Sequence, residues 1–144
     1  ISPEMFEKFS KPYNNQIFSR WPGGLMHNCG PNPAAHHYLD HSPPINGINC
    51  SYKYSREDFP VLREAFAGRG VVQVMFDNGE TAEQMLDGFR EMMETLAPDT
   101  IGLPMPIVND AWSDAEITDL YDAMREIGRE YAANLRWQAE SEVR

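Results

Sequence analysis

The stretch Val71-Val72-Gln73-Val74-Met75-Phe76, followed by Asp77-Asn78-Gly79-Glu80 and then by a long patterned run to Leu96, decides how this chain is read. Six residues, almost all apolar, have the length of a strand buried on both faces. Asn78-Gly79 has the composition of a turn. Thr81 and Gln84 then stand three apart, the pattern of a capping box, ahead of Met85, Phe89, Met92 and Leu96 at helical spacing. The unit is strand, loop, helix.

The same unit recurs on either side. Short apolar runs at Gly24–His27, Ile45–Cys50 and Thr100–Leu103 are bounded by Gly and Pro. Helix signals lie around them. Ser2 and Pro3 open a helix carrying Met5, Phe6, Phe9, Tyr13 and Ile17. Ser55 and Asp58 precede Phe59, Leu62, Ala65 and Phe66, and Gly68 is placed to stop that helix. Ser113 and Glu116 precede Ile117, Leu120, Tyr121, Met124 and Ile127. A shorter helix is expected from Pro33 to Leu39. No two-residue hairpin turn joins consecutive runs, and each gap holds a helix. That alternation predicts βαβ units and an α/β fold with a parallel sheet.

Four βα units within 144 residues amount to about half of a (β/α)8 (TIM) barrel, which takes roughly 250 residues. The expectation is a single partial domain over residues 1–144, the C-terminal half of such a barrel. The alternative is a small, self-sufficient four-stranded α/β sandwich. A half barrel leaves sheet edges and an apolar inner face open, so the chain is expected to associate with a missing N-terminal half or with itself. The first residue is Ile1 rather than Met, which suggests a processed or truncated piece. The polar stretch 137–144 is expected to fray.

Bulk chemistry narrows the partners. The formal net charge is −10, with no basic run. Nucleic acids and anionic membranes are therefore poor partners, since phosphates need clustered Lys and Arg. No long apolar run suggests a membrane span and no signal peptide is evident. Two cysteines, Cys29 and Cys50, are no disulfide framework, which favours a reduced, cytoplasmic setting.

Met26-His27-Asn28-Cys29-Gly30 closes the first strand run. Residues two apart in a strand share a face, so His27 and Cys29 are expected to project together at the C-terminal edge of the sheet. An imidazole beside a thiolate suits Zn²⁺. Cys50 ends the next run, about 4.8 Å away across a strand pair, and is a candidate third ligand. It also reads as a small buried hydrophobe. Asn49, Tyr52, Asp77, Asn78 and Met105 occupy strand ends where substrate would lie. Tyr52 and Tyr54 fit the barrel rim equally well. Pro104 and Pro106 predict a rigid loop around Met105. His36, His37 and His41 read as a solvated helix end, and Met85, Met92 and Met93 as helical core.

With these residues in hand, Ser2-Pro3-Glu4-Met5-Phe6, Phe9 and Pro12-Tyr13 resemble the helix start of the uroporphyrinogen decarboxylase and corrinoid methyltransferase superfamily. His27-Asn28-Cys29-Gly30 resembles the H-x-C-G motif of its methyltransferase branch. The resemblance covers nearly the whole chain but only the second half of the family's barrel. It implies zinc held by His27 and Cys29 and a methyl group passed between a corrinoid protein and a thiol or a methylated substrate. Zinc would serve as a Lewis acid there. The metal-free decarboxylases of tetrapyrrole biosynthesis are the alternative it implies, and a catalytically incomplete fragment is a third. Two motifs depart from the family. Met105 stands where the methyltransferases carry their later Cys and the decarboxylases a His, and Asp77-Asn78-Gly79-Glu80 replaces Asn-x-Asp-Pro. Either Cys50 supplies the replacement ligand, or the metal site is degraded or rebuilt in this chain.

Overall fold

The computed structural model describes residues 2–30, 39–41, 44–77 and 79–132. Four strands, β1 (Leu25–Asn28), β2 (Gly47–Ser51), β3 (Val71–Phe76) and β4 (Ile101–Pro106), form one sheet in the order of the chain. All three pairings are parallel. Helices α4 (Phe59–Phe66) and α5 (Ala82–Leu96) cross between neighbouring strands, and α6 (Asp114–Ala132) follows β4. The α/β character and the parallel sheet thus follow the sequence expectation. The expected helix at 33–39 and the tail at 137–144 lie outside the described residues, apart from Leu39 itself.

Strands added in sequence by right-handed crossovers put all their helices on one side. That side holds the core. Ile48, Cys50, Val72, Val74 and Phe76 from the strands pack with Phe59, Leu62, Phe66, Met85, Phe89, Met92, Leu96, Leu120, Met124 and Ile127 from the helices. Burial alternates along β3, with Val72, Val74 and Phe76 buried and Val71, Gln73 and Met75 half-buried. The second set faces the other way, with Asn49 and Ser51 of β2 on the same side at 7% and 2% exposure. Leu25 on β1 and Leu103 on β4 are 50% and 44% exposed there. This singly wound, one-face-open sheet is compatible with part of a barrel.

Local sequence explains the helix ends. Thr81 and Gln84 close the capping box on α5 that their spacing predicts. The Ser113 hydroxyl accepts from the Glu116 N–H, while the Glu116 carboxylate accepts from the Ser113 N–H. Gly68, two residues after α4 ends, adopts φ 69°, a left-handed conformation that favours glycine. At the N-terminus, α1 (Pro3–Met5) runs through a π-helical turn (Phe6–Ser10) into α2 (Lys11–Phe18). Within that turn the Lys11 N–H reaches the Phe6 carbonyl, five residues back. Pro12 accounts for this, because its ring cannot sit against the carbonyl four residues upstream in a regular α-helix.

The apolar residues Met5, Phe9, Tyr13 and Ile17 of that helix start are 50–63% exposed, and Phe6 alone is fully buried. Two expectations need correction. His41 is not a solvated helix end. It is buried, edge-on to the rings of Phe6 and Phe18 at centroid distances of 5.8 and 5.3 Å. His36 and His37 lie outside the described residues. Pro104 and Pro106, expected in a loop, belong to β4.

The ladder shows how two prolines fit a strand. Ile101 donates to the Gly70 carbonyl and Ile107 to that of Phe76. Odd-numbered residues of β4 therefore face β3, and even-numbered ones face the free edge. Both prolines are even-numbered, so their missing N–H groups cost the ladder nothing. They also strip that edge of donors, leaving only Gly102 with an outward N–H among residues 102, 104 and 106.

Candidate functional site

Parity and register build a site on the uncovered face. His27, Asn49, Gln73 and Leu103 are successive partners across the four strands. Each stands on the side away from the helices. The next partners toward the C-terminal edge are Ser51, Met75 and Met105. Among the described strand residues of this face there is no Asp, Glu, Lys or Arg. The face is an uncharged floor with an imidazole, two amides and a hydroxyl set among apolar side chains.

The polar row is hydrogen-bonded end to end. The Asn49 amide nitrogen donates to the Gln73 carbonyl oxygen at 3.1 Å. The Asn49 oxygen lies 2.5 Å from Nδ1 of His27. With the Asn49 oxygen toward the ring, the row is satisfied by the tautomer that carries its proton on Nδ1. The lone pair of the neutral ring then sits on Nε2, and the His27 side chain is exposed. Asn49 itself is 7% exposed, and its amide is committed on both sides. It therefore holds the row together and has little surface to offer a substrate.

Cys29 stands one residue beyond the end of β1 and is exposed. Cys50 does not join it. Cys50 is the partner of Asn28, one position out of phase with His27, so its side chain enters the helix-side core and is wholly buried. Burial pushes its thiol up to about 12 from an ordinary 9.0. A thiol so reluctant to ionise, on the opposite face from His27, is no third ligand to that imidazole. Among the described residues no group of three His, Cys, Asp or Glu is placed to hold a metal ion.

Tyr52 also departs from its expected place. It opens α3 (Tyr52–Ser55), and its ring packs on Phe76 at 5.2 Å and Phe59 at 6.2 Å, on the helix side. Its hydroxyl donates to the Glu91 carboxylate. Burial and that carboxylate push the phenol up to about 12. It is part of the α5 packing and not of the open face. Asp77 follows β3 directly, and its carbonyl accepts from the Glu80 N–H in the turn that leads to α5. Burial, then the negative charge of Asp77, holds the Glu80 carboxyl above its ordinary value. Asn78 lies outside the described residues. Met105 is half-buried beside Met75 on the uncovered face.

Two residues of this face escaped the sequence reading. Gln73 is the one polar residue in an otherwise apolar six-residue strand, and that was its signal. Ser51 is 2% exposed, and its hydroxyl has no hydrogen-bond partner among the described residues. Nothing in its local sequence marked it. No helix among the described residues is long and apolar enough to cross a membrane. No family model, curated protein or solved structure matches this chain.

Proposed function

We propose that this chain is the latter half of a (β/α)8-barrel enzyme of the uroporphyrinogen decarboxylase and corrinoid methyltransferase superfamily, acting as a metal-assisted methyltransferase with a corrinoid protein or thiol as methyl acceptor. The observation that carries the reading is the His27 imidazole near the C-terminal end of a parallel strand. Its Nδ1 is tied to a backing amide and its Nε2 is left open. Metal-ligating histidines are held in this manner, with the second nitrogen hydrogen-bonded so that the first keeps its lone pair. Cys29, two residues on and exposed, is the thiol donor that accompanies it. The described residues alone do not complete a zinc centre, because Cys50 faces away. A further donor has to come from outside them.

The uncharged floor favours this reading over the decarboxylase. A substrate bearing several carboxylates calls for Arg or Lys, and the described strand residues of this face offer neither. The exposed apolar surfaces accord with a covering partner. Met5, Phe9, Tyr13 and Ile17 form one exposed stripe, and Leu25 and Leu103 stand open on the sheet. A groove of about 570 Å³ between β4 and α6, lined by Pro104, Val108, Ile117 and Tyr121 among others, is a third.

Metal analysis of the purified chain tests the proposal. Zinc is expected to bind with a stoichiometry of one, and His27→Ala is expected to abolish that binding. Cys29→Ser is expected to weaken it by at least tenfold, while Cys50→Ala leaves it unchanged. Absence of zinc binding, or binding indifferent to His27, would overturn it.

A further inference from the structure

The two open edges of the sheet carry matching surfaces. At the β1 edge, Met5, Phe9, Tyr13, Ile17 and Trp21 recur at every fourth position and are 50–65% exposed. At the β4 edge lies the apolar groove against α6, lined by Pro104, Pro106, Ile117 and Tyr121. Both belong to the helix side of the sheet. Phe18 of α2 packs against the helix-side core, and Leu120 and Met124 of the groove wall are part of it. We infer that two copies of this chain join through these edges. The N-terminal helix of each copy seats in the β4–α6 groove of the other, and β1 of each adds in parallel to β4 of the other. The inference rests on the reading of the chain as half of an eight-stranded barrel, but on no metal and no reaction.

The strand edges are complementary. The Gly24 carbonyl accepts from Asn46, so even-numbered residues of β1 turn toward β2, and the N–H groups of Leu25 and His27 point off the edge. The β4 edge offers the carbonyls of Gly102, Pro104 and Pro106 but a single N–H, because the prolines have none. It is an edge that accepts, and β1 supplies donors. Every other pairing in this sheet is parallel as well. Parallel addition keeps the helices of both copies on one side, which brings the stripe of one against the groove of the other.

The area suffices. Phe9, Tyr13 and Trp21 are 60–65% exposed. Such side chains have roughly 150–250 Å² each to bury, so the three rings alone leave about 300 Å² open. Two such joints, each with both of its surfaces, bury on the order of 1,200 Å², above the ~1,000 Å² that a specific interface needs. Arg125 and Arg129 at the groove rim are already paired with Asp122 and Glu126, so covering the groove leaves no charge unpaired. A second copy fills both edges at once, because each copy gives a helix and takes one. Four strands from each copy make about eight, the number at which a small barrel closes around its own side chains. Closure leaves no strand edge exposed.

Sedimentation equilibrium of the whole chain tests the inference. The expected species is a dimer without larger assemblies, since the two joints close on each other. Phe9→Glu on the stripe and Tyr121→Glu on the groove wall alter positions that are 60% and 63% exposed, so the fold is expected to survive, as circular dichroism checks. Each is expected to weaken association by at least about 30-fold, the scale of a lost hot spot. A one-to-one mixture of the two variants is expected to recover part of the association, because one joint of the mixed pair keeps an unaltered helix and an unaltered groove. A monomer at micromolar concentrations, which would leave these edges to a different polypeptide, overturns the inference. So does a dimer lost in only one of the variants, the mark of stripe meeting stripe or groove meeting groove. Zinc titration of the same samples separates the two proposals. A dimer that binds no zinc defeats the proposed function alone, and zinc bound by a monomer defeats this inference alone.

Discussion

Truncation of Phe76 to alanine is expected to destabilise the fold by about 3–5 kcal/mol. The ring is fully buried at the end of β3. It lies 5.2 Å from the Tyr52 ring. It also faces α5 at Gly88, where a side-chain carbon would come within 2.8 Å of the Phe76 ring. The close approach of helix and strand leaves neighbours little room to collapse into the space the ring vacates, so the cavity cost adds to the lost transfer energy. Domains of ordinary stability have about 5–15 kcal/mol in total, and a protein with one sheet face open has no reason to sit at the upper end. Leu103→Ala, on the other face and already 44% exposed, is expected to cost less than about 1 kcal/mol. Urea unfolding of the two variants measures the contrast. Equal losses would mean that the helices do not cover one face alone.

The second large effect is alkaline. Burial holds the Cys50 proton to about 12, whereas the unfolded thiol releases it near 9.0. Below pH 9 both states are neutral at this position and its contribution is fully present. As pH rises from 9 toward 12 the unfolded chain ionises while the folded one does not, and stability drains away. Over the whole window the loss amounts to about 4 kcal/mol. Tyr52, raised to about 12 from 10.0 by burial and Glu91, adds in the same direction. Denaturant titrations at pH 8, 9, 10 and 11 are expected to show falling stability with a shallower fall in Cys50→Ala. Identical pH slopes for the two proteins would place Cys50 in contact with water.

The parallel α/β sheet was legible because its signals are local and redundant. The apolar runs had the right length, each gap carried a helix pattern, and caps at Thr81 and Ser113 formed as their spacing required. Handedness then places every crossover on one side. The candidate site was half legible. His27 was readable as a strand-end residue from its own run, which needs no knowledge of the neighbour, whereas Cys29 falls one residue beyond β1. Cys50 was misplaced because its face depends on register against β1, and a one-residue offset reverses the side. Proximity between adjacent strands does not imply a shared face. Tyr52 was likewise unreadable, since its partner Glu91 lies 39 residues away on α5. The exposed stripe at Met5, Phe9, Tyr13 and Ile17 shows the limit of periodicity: it finds an apolar face but not what covers it. Pro104 and Pro106 misled in the opposite sense, because only the ladder reveals that their nitrogens point off the edge.

The division of the sheet into a helix-packed side and an open side bearing the His27 row is tested most directly by counting reactive thiols in the native protein at pH 8. One cysteine should react with a thiol reagent at once, and peptide mapping should identify it as Cys29. Cys50 should react only after unfolding. Rapid labelling of Cys50 in the folded chain would turn β2 over, break the alignment of His27 with Asn49 and Gln73, and contradict the site.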